Sequence, residues 1–230
     1  MSRAGLNKEP EDVSRMFDEV APRYDFLNDL LSLWRTKSWR RSVASIIAPK
    51  PGMKILDIAA GTGSSSIPFA KAGAEVIALD FSKGMIEAGK KRNPDITFLQ
   101  GDALNLPFDK NQFDVTTISF GLRNTSDTSK ALKEALRVTK SGGRIVICEF
   151  SEPTNKFFRK IYFNYLLKAL PAIARRTASN PQAYIYLAES ILAWPNQQRL
   201  ADLMGEAGWQ SVGWQNLTFG IVAVHIGRKS

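Results

Sequence analysis

The chain has 230 residues, 44% of them hydrophobic, and its 31 basic and 22 acidic side chains give a formal net charge of +9. That length is enough for one domain, residues 1–230, with a substantial core, and no uninterrupted apolar run reaches the roughly 18 residues of a membrane-spanning helix. The single cysteine excludes an intramolecular disulfide and fits a reducing, cytoplasmic compartment, and with one histidine beside it we expect no metal site.

Two helical patterns precede the first predicted strand. Apolar residues recur at helical spacing over 13–28, and a second such pattern extends from Trp34 to Pro49. Proline and glycine at 49–52 then interrupt it. We therefore predict an N-terminal helical cap over residues 1–50.

The stretch 54–80 has the pattern of a nucleotide-binding β-α-β unit. An apolar run at 55–58 predicts a buried parallel strand, and Gly61 and Gly63 follow at once. Residues 64–72 predict a helix, and 76–79 a second strand that ends at Asp80. Glycine lets the chain turn tightly beside a ligand, and an acid at the end of the second strand can accept bonds from two ribose hydroxyls.

The details of this unit favour S-adenosylmethionine over NAD. A dinucleotide fingerprint has a third glycine at position 66, where this chain has Ser66. It also does not require an acid at the end of the first strand, where Asp57 stands. A carboxylate there can hold the ammonium group of an amino-acid nucleoside. Because glycine pairs also occur in ordinary turns, the prediction depends on the whole unit.

Strands and helices continue to alternate along the chain. Ser82 is predicted to cap a helix that runs to about Arg92. We predict helices at 128–139, ended by glycines 142–143, and at 200–207, and strands at 96–100, 113–120, 144–150, 212–217 and 221–226. This order predicts an α/β fold with a doubly wound, mostly parallel, Rossmann-like sheet. Ligands bind such sheets outside the carboxyl ends of the strands, where Asp57, Asp80, Asp102 and Ser119 lie.

Most of the excess positive charge lies in one segment. Between Pro153 and Ala188 there is no acid but six bases, namely Lys156, Arg159, Lys160, Lys168, Arg175 and Arg176. The three lysines and Asn164 recur at four-residue spacing, next to an aromatic face. We predict an inserted helical lid over about 155–195 that meets an anionic partner or surface.

Five motifs resemble the class I S-adenosylmethionine-dependent methyltransferases, and among them the ubiquinone/menaquinone biosynthesis C-methyltransferase family. They are Met16-Phe17-Asp18-Glu19-Val20-Ala21-Pro22-Arg23-Tyr24-Asp25, Asp57-Ile58-Ala59-Ala60-Gly61-Thr62-Gly63, Gly101-Asp102-Ala103, Leu106-Pro107-Phe108 and Ile118-Ser119-Phe120-Gly121-Leu122-Arg123-Asn124. The resemblance extends over nearly the whole chain, and the last motif is the most specific. Two residues depart from the family pattern: Ala59 stands where glycine is frequent, and Ser64 where an acid is frequent.

The resemblance implies a set of site residues. The cofactor-binding set is Asp57, Gly61, Thr62 and Gly63 at the methionine end, Asp80 at the ribose, Asp102 and Ala103 at the adenine, and Ser119 as a further contact. Arg123 and Asn124 are the candidate catalytic residues on the substrate side, and Tyr24 is implied to lie over the cofactor.

The resemblance also implies the reaction, C-methylation of the ring of demethylmenaquinol, a polyprenyl quinol, with Arg123 stabilising a phenolate. The sequence does not identify the group that takes the proton. Two alternatives stay open: another small aromatic or lipid acceptor such as a ubiquinone precursor, and a non-catalytic nucleotide- or nucleic-acid-binding module. With a quinol substrate we expect peripheral contact with the inner face of the cell membrane and no nucleic-acid partner. Assembly into a homo-oligomer stays open.

Overall fold

The computed structural model describes residues 8–20, 35–170, 172 and 181–230. Its helices are α1 (Pro10–Val20), α2 (Thr36–Ile47), α3 (Ile67–Lys71), α4 (Lys83–Arg92), α5 (Thr128–Val138), α6 (Lys156–Asn164), α7 (Pro181–Leu192) and α8 (Gln197–Glu206). Its strands are β1 (Lys54–Ile58), β2 (Glu75–Asp80), β3 (Thr97–Gln100), β4 (Phe113–Ser119), β5 (Thr139–Phe150), β6 (Gln210–Leu217) and β7 (Val222–Arg228). A π-helical stretch, Tyr165–Ala169, continues α6, and 3-10 turns lie at Leu122–Asn124 and Thr218–Gly220.

The seven strands form one sheet in the order β3-β2-β1-β4-β5-β7-β6. Strands β1 to β5 pair in parallel, whereas β7 runs antiparallel between β5 and β6. This confirms the predicted doubly wound, mostly parallel, Rossmann-like sheet and its closing hairpin. Because β1 to β4 are parallel neighbours, their carboxyl ends meet at one edge, which is where a ligand site is expected.

Helices cover both faces of the sheet, and alternate residues of each strand face opposite layers. Ile55 and Val146 pack against Trp39, Val43 and Ile47 of α2. On the other face, Leu56, Ile58, Ile145 and Ile147 pack with α5 and α8 around Leu132 and Met204. Leu132 is fully buried there, so truncating it to alanine is expected to cost about 2–5 kcal/mol of folding free energy.

Several element boundaries differ from the sequence prediction, and two of the differences have a clear local reason. The helix expected at 64–72 is only the short α3, because serines 64–66 form turns before it. The helix expected to end at Gly142 and Gly143 ends at Val138 instead. Thr139 is already extended, with φ −75° and ψ 139°, and pairs with Phe113. The two glycines lie inside β5, where its register with β4 shifts. They therefore mark an irregularity in the sheet and not the end of a helix.

The predicted cap at Ser82 is confirmed, since its hydroxyl accepts a bond from the Met85 amide at 3.1 Å. Helix α7 was not predicted as a separate element, and with α6 it lies within the segment expected to form a lid. Tyr24, Trp34, Arg175 and Arg176 lie outside the described residues. In the ranges that are described, no helix is both long and apolar enough to cross a bilayer.

Candidate functional site

A cavity of about 570 Å³ lies at the carboxyl edge of the sheet. One side, here called the strand-end wall, is made of residues 59–62, 64–65, 79–82, 101–104 and 119–120. The opposite side, the helical wall, comes from α1, α6 with its π-helical stretch, α7 and residues 218, 219 and 221. Residues 123–126 line the cavity too, directly after β4. The cavity therefore brings together strand ends and helices that are far apart in sequence.

The loop after β1 follows a path that few residue types allow. Ala59, Gly61 and Gly63 all have positive φ angles, of 54°, 58° and 75°. A side chain at Gly63 would begin 2.6 Å from the ring of Phe98, so glycine is required by space as well. Ala59 keeps its methyl group because Gly121 has none: a Cβ there would lie 2.5 Å from that of Ala59. The departure from the family pattern at position 59 is thus accommodated locally.

Asp80 ties this loop to the end of β2. Its Oδ2 accepts a hydrogen bond from the Gly61 amide at 2.7 Å, and its Oδ1 accepts one from the Ser82 amide at 2.8 Å. Burial raises the pKa of Asp80, although these two amide bonds act to lower it. The half-buried carboxylate lines the cavity, so its remaining lone pairs can accept bonds from ligand hydroxyls.

At the ends of β1 and β4, Asp57 Oδ1 and Ser119 Oγ are buried without a hydrogen-bond partner among the described residues. The other oxygen of Asp57 accepts a bond from the Ser66 hydroxyl at 2.6 Å. Burial raises the pKa of Asp57 to about 7. The hydrogen bond from Ser66 acts to lower this pKa, and the negative charge of Asp80 acts to raise it. Ser119 lines the cavity, whereas Asp57 and Gly63 are not part of its lining.

The other predicted cofactor residues line the cavity. Thr62 is 2% exposed, and its Oγ1 lies 3.1 Å from the Oγ of Ser64. Asp102 accepts a bond from the Leu104 amide at 2.8 Å, and Ala103 follows it along the same wall. The strand-end wall therefore presents carboxylates, hydroxyls and one small side chain, which come from the loops and strand ends of β1 to β4.

Arg123 is a buried cation beside the cavity, and Glu149 is its partner. The Arg123 side chain is 4% exposed and that of Glu149 is 1% exposed. Nη1 of Arg123 donates to Oε1 of Glu149 at 2.9 Å and to the Phe120 carbonyl at 2.5 Å. The guanidinium also lies over the ring of Phe150, 5.1 Å from its centroid. Arg123 is therefore held from several sides and is not a solvent-exposed loop residue.

Asn124 lies next to Arg123 and contacts the helical wall. Its Oδ1 accepts a bond from the Tyr186 hydroxyl at 3.3 Å. Burial raises the pKa values of Tyr162, Tyr165 and Tyr186, all of which line the cavity. These phenols therefore stay protonated at neutral pH and are hydrogen-bond donors.

Sequence analysis missed three residues of this site. Glu149 ends β5 as Asp57 and Asp80 end β1 and β2, so the strand-end rule pointed to it but was not applied there. Tyr186 lies on α7, whose mostly apolar sequence gave no clear helical stripe. Lys8 is half-buried and lines the cavity. Its pKa is lowered mainly by burial and secondarily by the positive charge of Arg123. No sequence signal marked Lys8.

The strand-end wall suits a nucleoside carrying a cationic amino-acid group. It offers acceptors for ribose hydroxyls at Asp80, the unpartnered Ser119 hydroxyl, and a glycine loop that lets a ligand approach the backbone. The unpartnered Asp57 Oδ1 lies behind this wall. Within the described part of the chain, no group of His, Cys, Asp and Glu side chains is arranged to hold a metal ion. The helical wall is mostly aromatic and aliphatic, as suits an apolar ring system.

Comparison with known proteins gives a consistent result. A model of the ubiE/COQ5 methyltransferase family matches residues 5–229. The demethylmenaquinone methyltransferase of Renibacterium salmoninarum is 56% identical over 225 residues, covering 98% of this chain and 95% of that protein. That of Streptomyces avermitilis is 56% identical over 230 residues and covers 100% of both. A Thermotoga maritima structure, described as a SAM-dependent methyltransferase and possible histamine N-methyltransferase, superposes with a TM-score of 0.69 at 20% identity, covering 95% and 100% of the chains.

Proposed function

Because the chain belongs to the ubiE/COQ5 methyltransferase family, we propose that it methylates a ring carbon of demethylmenaquinol to form menaquinol. The methyl donor is S-adenosyl-L-methionine. The observation that carries the proposal is one cavity lined both by Asp80, a ribose-type acceptor, and by Arg123, a buried cation. A donor and an oxygen-bearing acceptor can thus be bound side by side.

The strand-end wall holds the donor. Asp80 accepts the ribose hydroxyls, Asp102 and Ala103 meet the adenine edge, and residues 59–62 with Ser119 meet the amino-acid end. Asp57 and Gly63 do not line the cavity and act by shaping this loop. When bound, S-adenosyl-L-methionine supplies a methyl group on a sulfonium, which is open to attack by carbon. The chain's own contribution is to orient the reactants and exclude water, effects that supply up to about 7–11 kcal/mol.

Arg123 acts on the acceptor. A neutral ring carbon is a weak nucleophile, and loss of a phenolic proton raises the electron density of the ring. A fixed guanidinium beside the oxygen stabilises the resulting phenolate. Because Tyr162 and Tyr186 stay protonated, neither takes the proton. The hydroxyl of Tyr162 can donate to an acceptor oxygen, whereas that of Tyr186 already donates to Asn124. Asn124, held by Tyr186, lies beside this position.

The polyprenyl tail of the acceptor requires an apolar exit, and the helical wall offers one. Phe158, Ile161 and Phe219 line the cavity, and the rings of Phe158 and Phe219 meet at 5.5 Å. Phe219 is 76% exposed, as is Phe157 one turn before Ile161. Three exposed lysines, Lys156, Lys160 and Lys168, lie on the same helical segment. We propose that this rim contacts the inner face of the cell membrane.

One base of the predicted polar stripe has another role. Arg159 pairs with Glu152, so it contributes less to a cationic surface than the sequence suggested. The three lysines remain as the cations of the rim among the described residues of this segment.

The direct test is methyl transfer from labelled S-adenosyl-L-methionine to demethylmenaquinol in lipid extract, with the product identified by mass spectrometry. We expect one methyl group on the quinone ring. Label on another aromatic acceptor, with none on demethylmenaquinol, would contradict the proposed substrate, and no transfer to any quinol would contradict the activity.

A further inference from the structure

We propose that Glu149 is a positioning residue for the methylation step: it holds Arg123 in the one orientation that acts on the acceptor oxygen. The inference rests on the proposed function, because it concerns how Arg123 performs its role there. Glu149 is not itself part of the cavity lining, so it acts through Arg123 and does not touch the acceptor.

Glu149 fixes both the backbone and the side chain of Arg123. Its Oε2 accepts a bond from the Arg123 amide at 3.3 Å, while its Oε1 accepts one from Nη1 of the same residue at 2.9 Å. The carboxylate is in turn held by the Phe150 amide, which donates to Oε1 at 2.9 Å. One carboxylate therefore connects the end of β5 to the 3-10 turn after β4 and aligns the guanidinium with both.

Two further contacts restrict Arg123 to this orientation. Phe120, directly after β4, has a positive φ of 60°, and its carbonyl accepts the second bond from Nη1 at 2.5 Å. Its amide is tied to the Cys148 carbonyl at 2.8 Å, so this carbonyl is fixed by the sheet. The guanidinium carbon of Arg123 also lies over the ring of Phe150. A donor fixed in this way needs no reorganisation when negative charge develops on the acceptor.

Stability alone is a weak reason for this pair. Both side chains are almost fully removed from water, and buried ion pairs can often be replaced by apolar residues without loss of stability. The pair also borders the cavity in which the reaction is proposed to occur. Holding a cation next to that cavity is therefore the function that its position supports.

The chain contains a similar but more exposed Glu–Arg pair elsewhere. Glu134 accepts two bonds from Arg137, each at 2.8 Å, and one from the Leu106 amide at 2.9 Å. None of these three residues lines the cavity, and Arg137 is 37% exposed. Glu134→Gln thus removes a carboxylate with similar partners and is a control for effects on folding.

Loosening Arg123 should raise the pKa of the bound acceptor phenol, because the guanidinium then stabilises the phenolate less. In Glu149→Gln we expect kcat at neutral pH to fall about tenfold to hundredfold, the cost of misplacing a catalytic group by about 1 Å. The fall should diminish as pH rises, so the pH–rate profile moves to higher pH. The Kd for S-adenosyl-L-methionine should stay within about twofold of wild type.

A bound naphthol gives a second measurement that needs no turnover, because its phenolate absorbs at longer wavelength than the phenol. We expect its pKa in the complex to be higher in Glu149→Gln than in wild type or Glu134→Gln. Glu149→Asp keeps the charge but shortens the reach, so it tests the same point if Glu149→Gln does not fold. The Glu149→Asp variant should fold and bind the donor. Its pH–rate profile and its naphthol pKa should both lie between those of wild type and Glu149→Gln.

The outcomes separate this inference from the proposed function. If both Glu149 variants keep kcat and the naphthol pKa of wild type, or lose donor affinity together with turnover, the positioning role is wrong. Full activity in Arg123→Ala would overturn the role of Arg123 and the inference with it. If wild-type protein transfers no methyl group to any quinol, the proposed function itself fails. Inactive Arg123→Ala, shifted Glu149 variants and normal Glu134→Gln together support the inference.

Discussion

The two walls of the cavity are built in different ways. The strand-end wall comes from loops that follow adjacent parallel strands, and its groups are tied by short bonds such as that from the Gly61 amide to Asp80. The helical wall comes from α1, α6, α7 and the turn before β7, and aromatic contacts such as Phe158 with Phe219 hold it. The first wall is fixed by sheet register, whereas the second depends on the packing of distant segments.

This difference suits the two ligands of the proposed reaction. A nucleoside donor has hydroxyls and charges in fixed positions, so it needs fixed acceptors. A prenylated ring needs an apolar surface with few polar groups. The Arg123–Glu149 pair lies where the two walls meet, since it follows β4 and β5 and its Asn124 neighbour bonds to Tyr186 of α7. Substitutions in each wall should therefore affect different measurements.

The largest effect is expected at Asp57, behind the strand-end wall. Below about pH 4 this carboxyl is protonated in both the folded and the unfolded chain, so it does not make the free energy of unfolding depend on pH there. Between about pH 4 and 7 the unfolded chain loses the proton while the folded chain keeps it, because burial raises the pKa of Asp57 to about 7. The free energy of unfolding therefore falls as pH rises through this range, by about 4 kcal/mol in total.

In Asp57→Asn this part of the pH dependence should be absent. Urea unfolding at pH 4, 5.5 and 8 measures it, and the variant should gain stability relative to wild type as pH rises. Asp114→Asn is the control of opposite sign. The pKa of Asp114 lies below its usual value, because bonds from Lys140 and the Lys54 amide outweigh the effect of burial. Parallel curves for wild type and Asp57→Asn would show that Asp57 titrates normally.

The next effect is expected at Arg123, between the walls. Arg123→Ala removes the cation proposed to stabilise the phenolate, so kcat should fall by about 10²–10³-fold. Donor affinity should remain, because the hydrogen bonds of Arg123 go to Glu149 and the Phe120 carbonyl and none goes to Asp80, Asp102 or the loop after β1. Single-turnover kinetics and titration calorimetry measure the two quantities separately.

Since Arg123→Ala leaves Glu149 buried and unpaired, it should also destabilise the fold, by about 3–5 kcal/mol. The double variant Arg123→Met with Glu149→Gln restores folding without the cation and is the control. Recovery of turnover together with stability would show that Arg123 has only a structural role.

A smaller effect is expected at Asp80, in the strand-end wall itself. Asp80→Ala removes a charge-assisted acceptor of ligand hydroxyls, worth about 1.5–3 kcal/mol or roughly tenfold to hundredfold in the Kd of S-adenosyl-L-methionine. Calorimetry checks this, with Asp114→Ala as a carboxylate control at the opposite end of the parallel strands. Turnover at saturating donor should change much less than affinity. A Kd equal to that of wild type would place the ribose elsewhere.

The strand-end wall was the predictable part of the site. Asp57, Asp80, Asp102 and Ser119 follow from one rule, because parallel strands bring their carboxyl ends to one edge. The helical wall follows no comparable rule. Tyr186 and Phe219 reach the cavity through tertiary packing, and the sequence around each has no periodicity or motif that indicates this. The error at Gly142 has a similar cause, since a glycine pair after a helix also occurs inside an irregular strand.

The smallest effect per residue is expected at the rim of the helical wall, where we propose contact with anionic lipid. Each lysine near such a surface contributes about 1 kcal/mol, and salt weakens the attraction. Wild-type protein should therefore sediment with anionic vesicles at low salt. Changing Lys156, Lys160 and Lys168 to Gln should abolish sedimentation. Phe219→Ser should weaken it at every salt concentration, because burial of an aromatic ring in lipid does not depend on salt.

The matched control changes Lys90, Lys91 and Arg92 to Gln, which removes the same number of basic charges from the end of α4. That described helix carries no exposed large apolar side chain. If net charge alone drives binding, both triple variants should lose it equally, and the rim has no special role. If only the rim variant and Phe219→Ser lose binding, the membrane meets the protein where the cavity opens, because Phe219 both lines the cavity and projects from the surface.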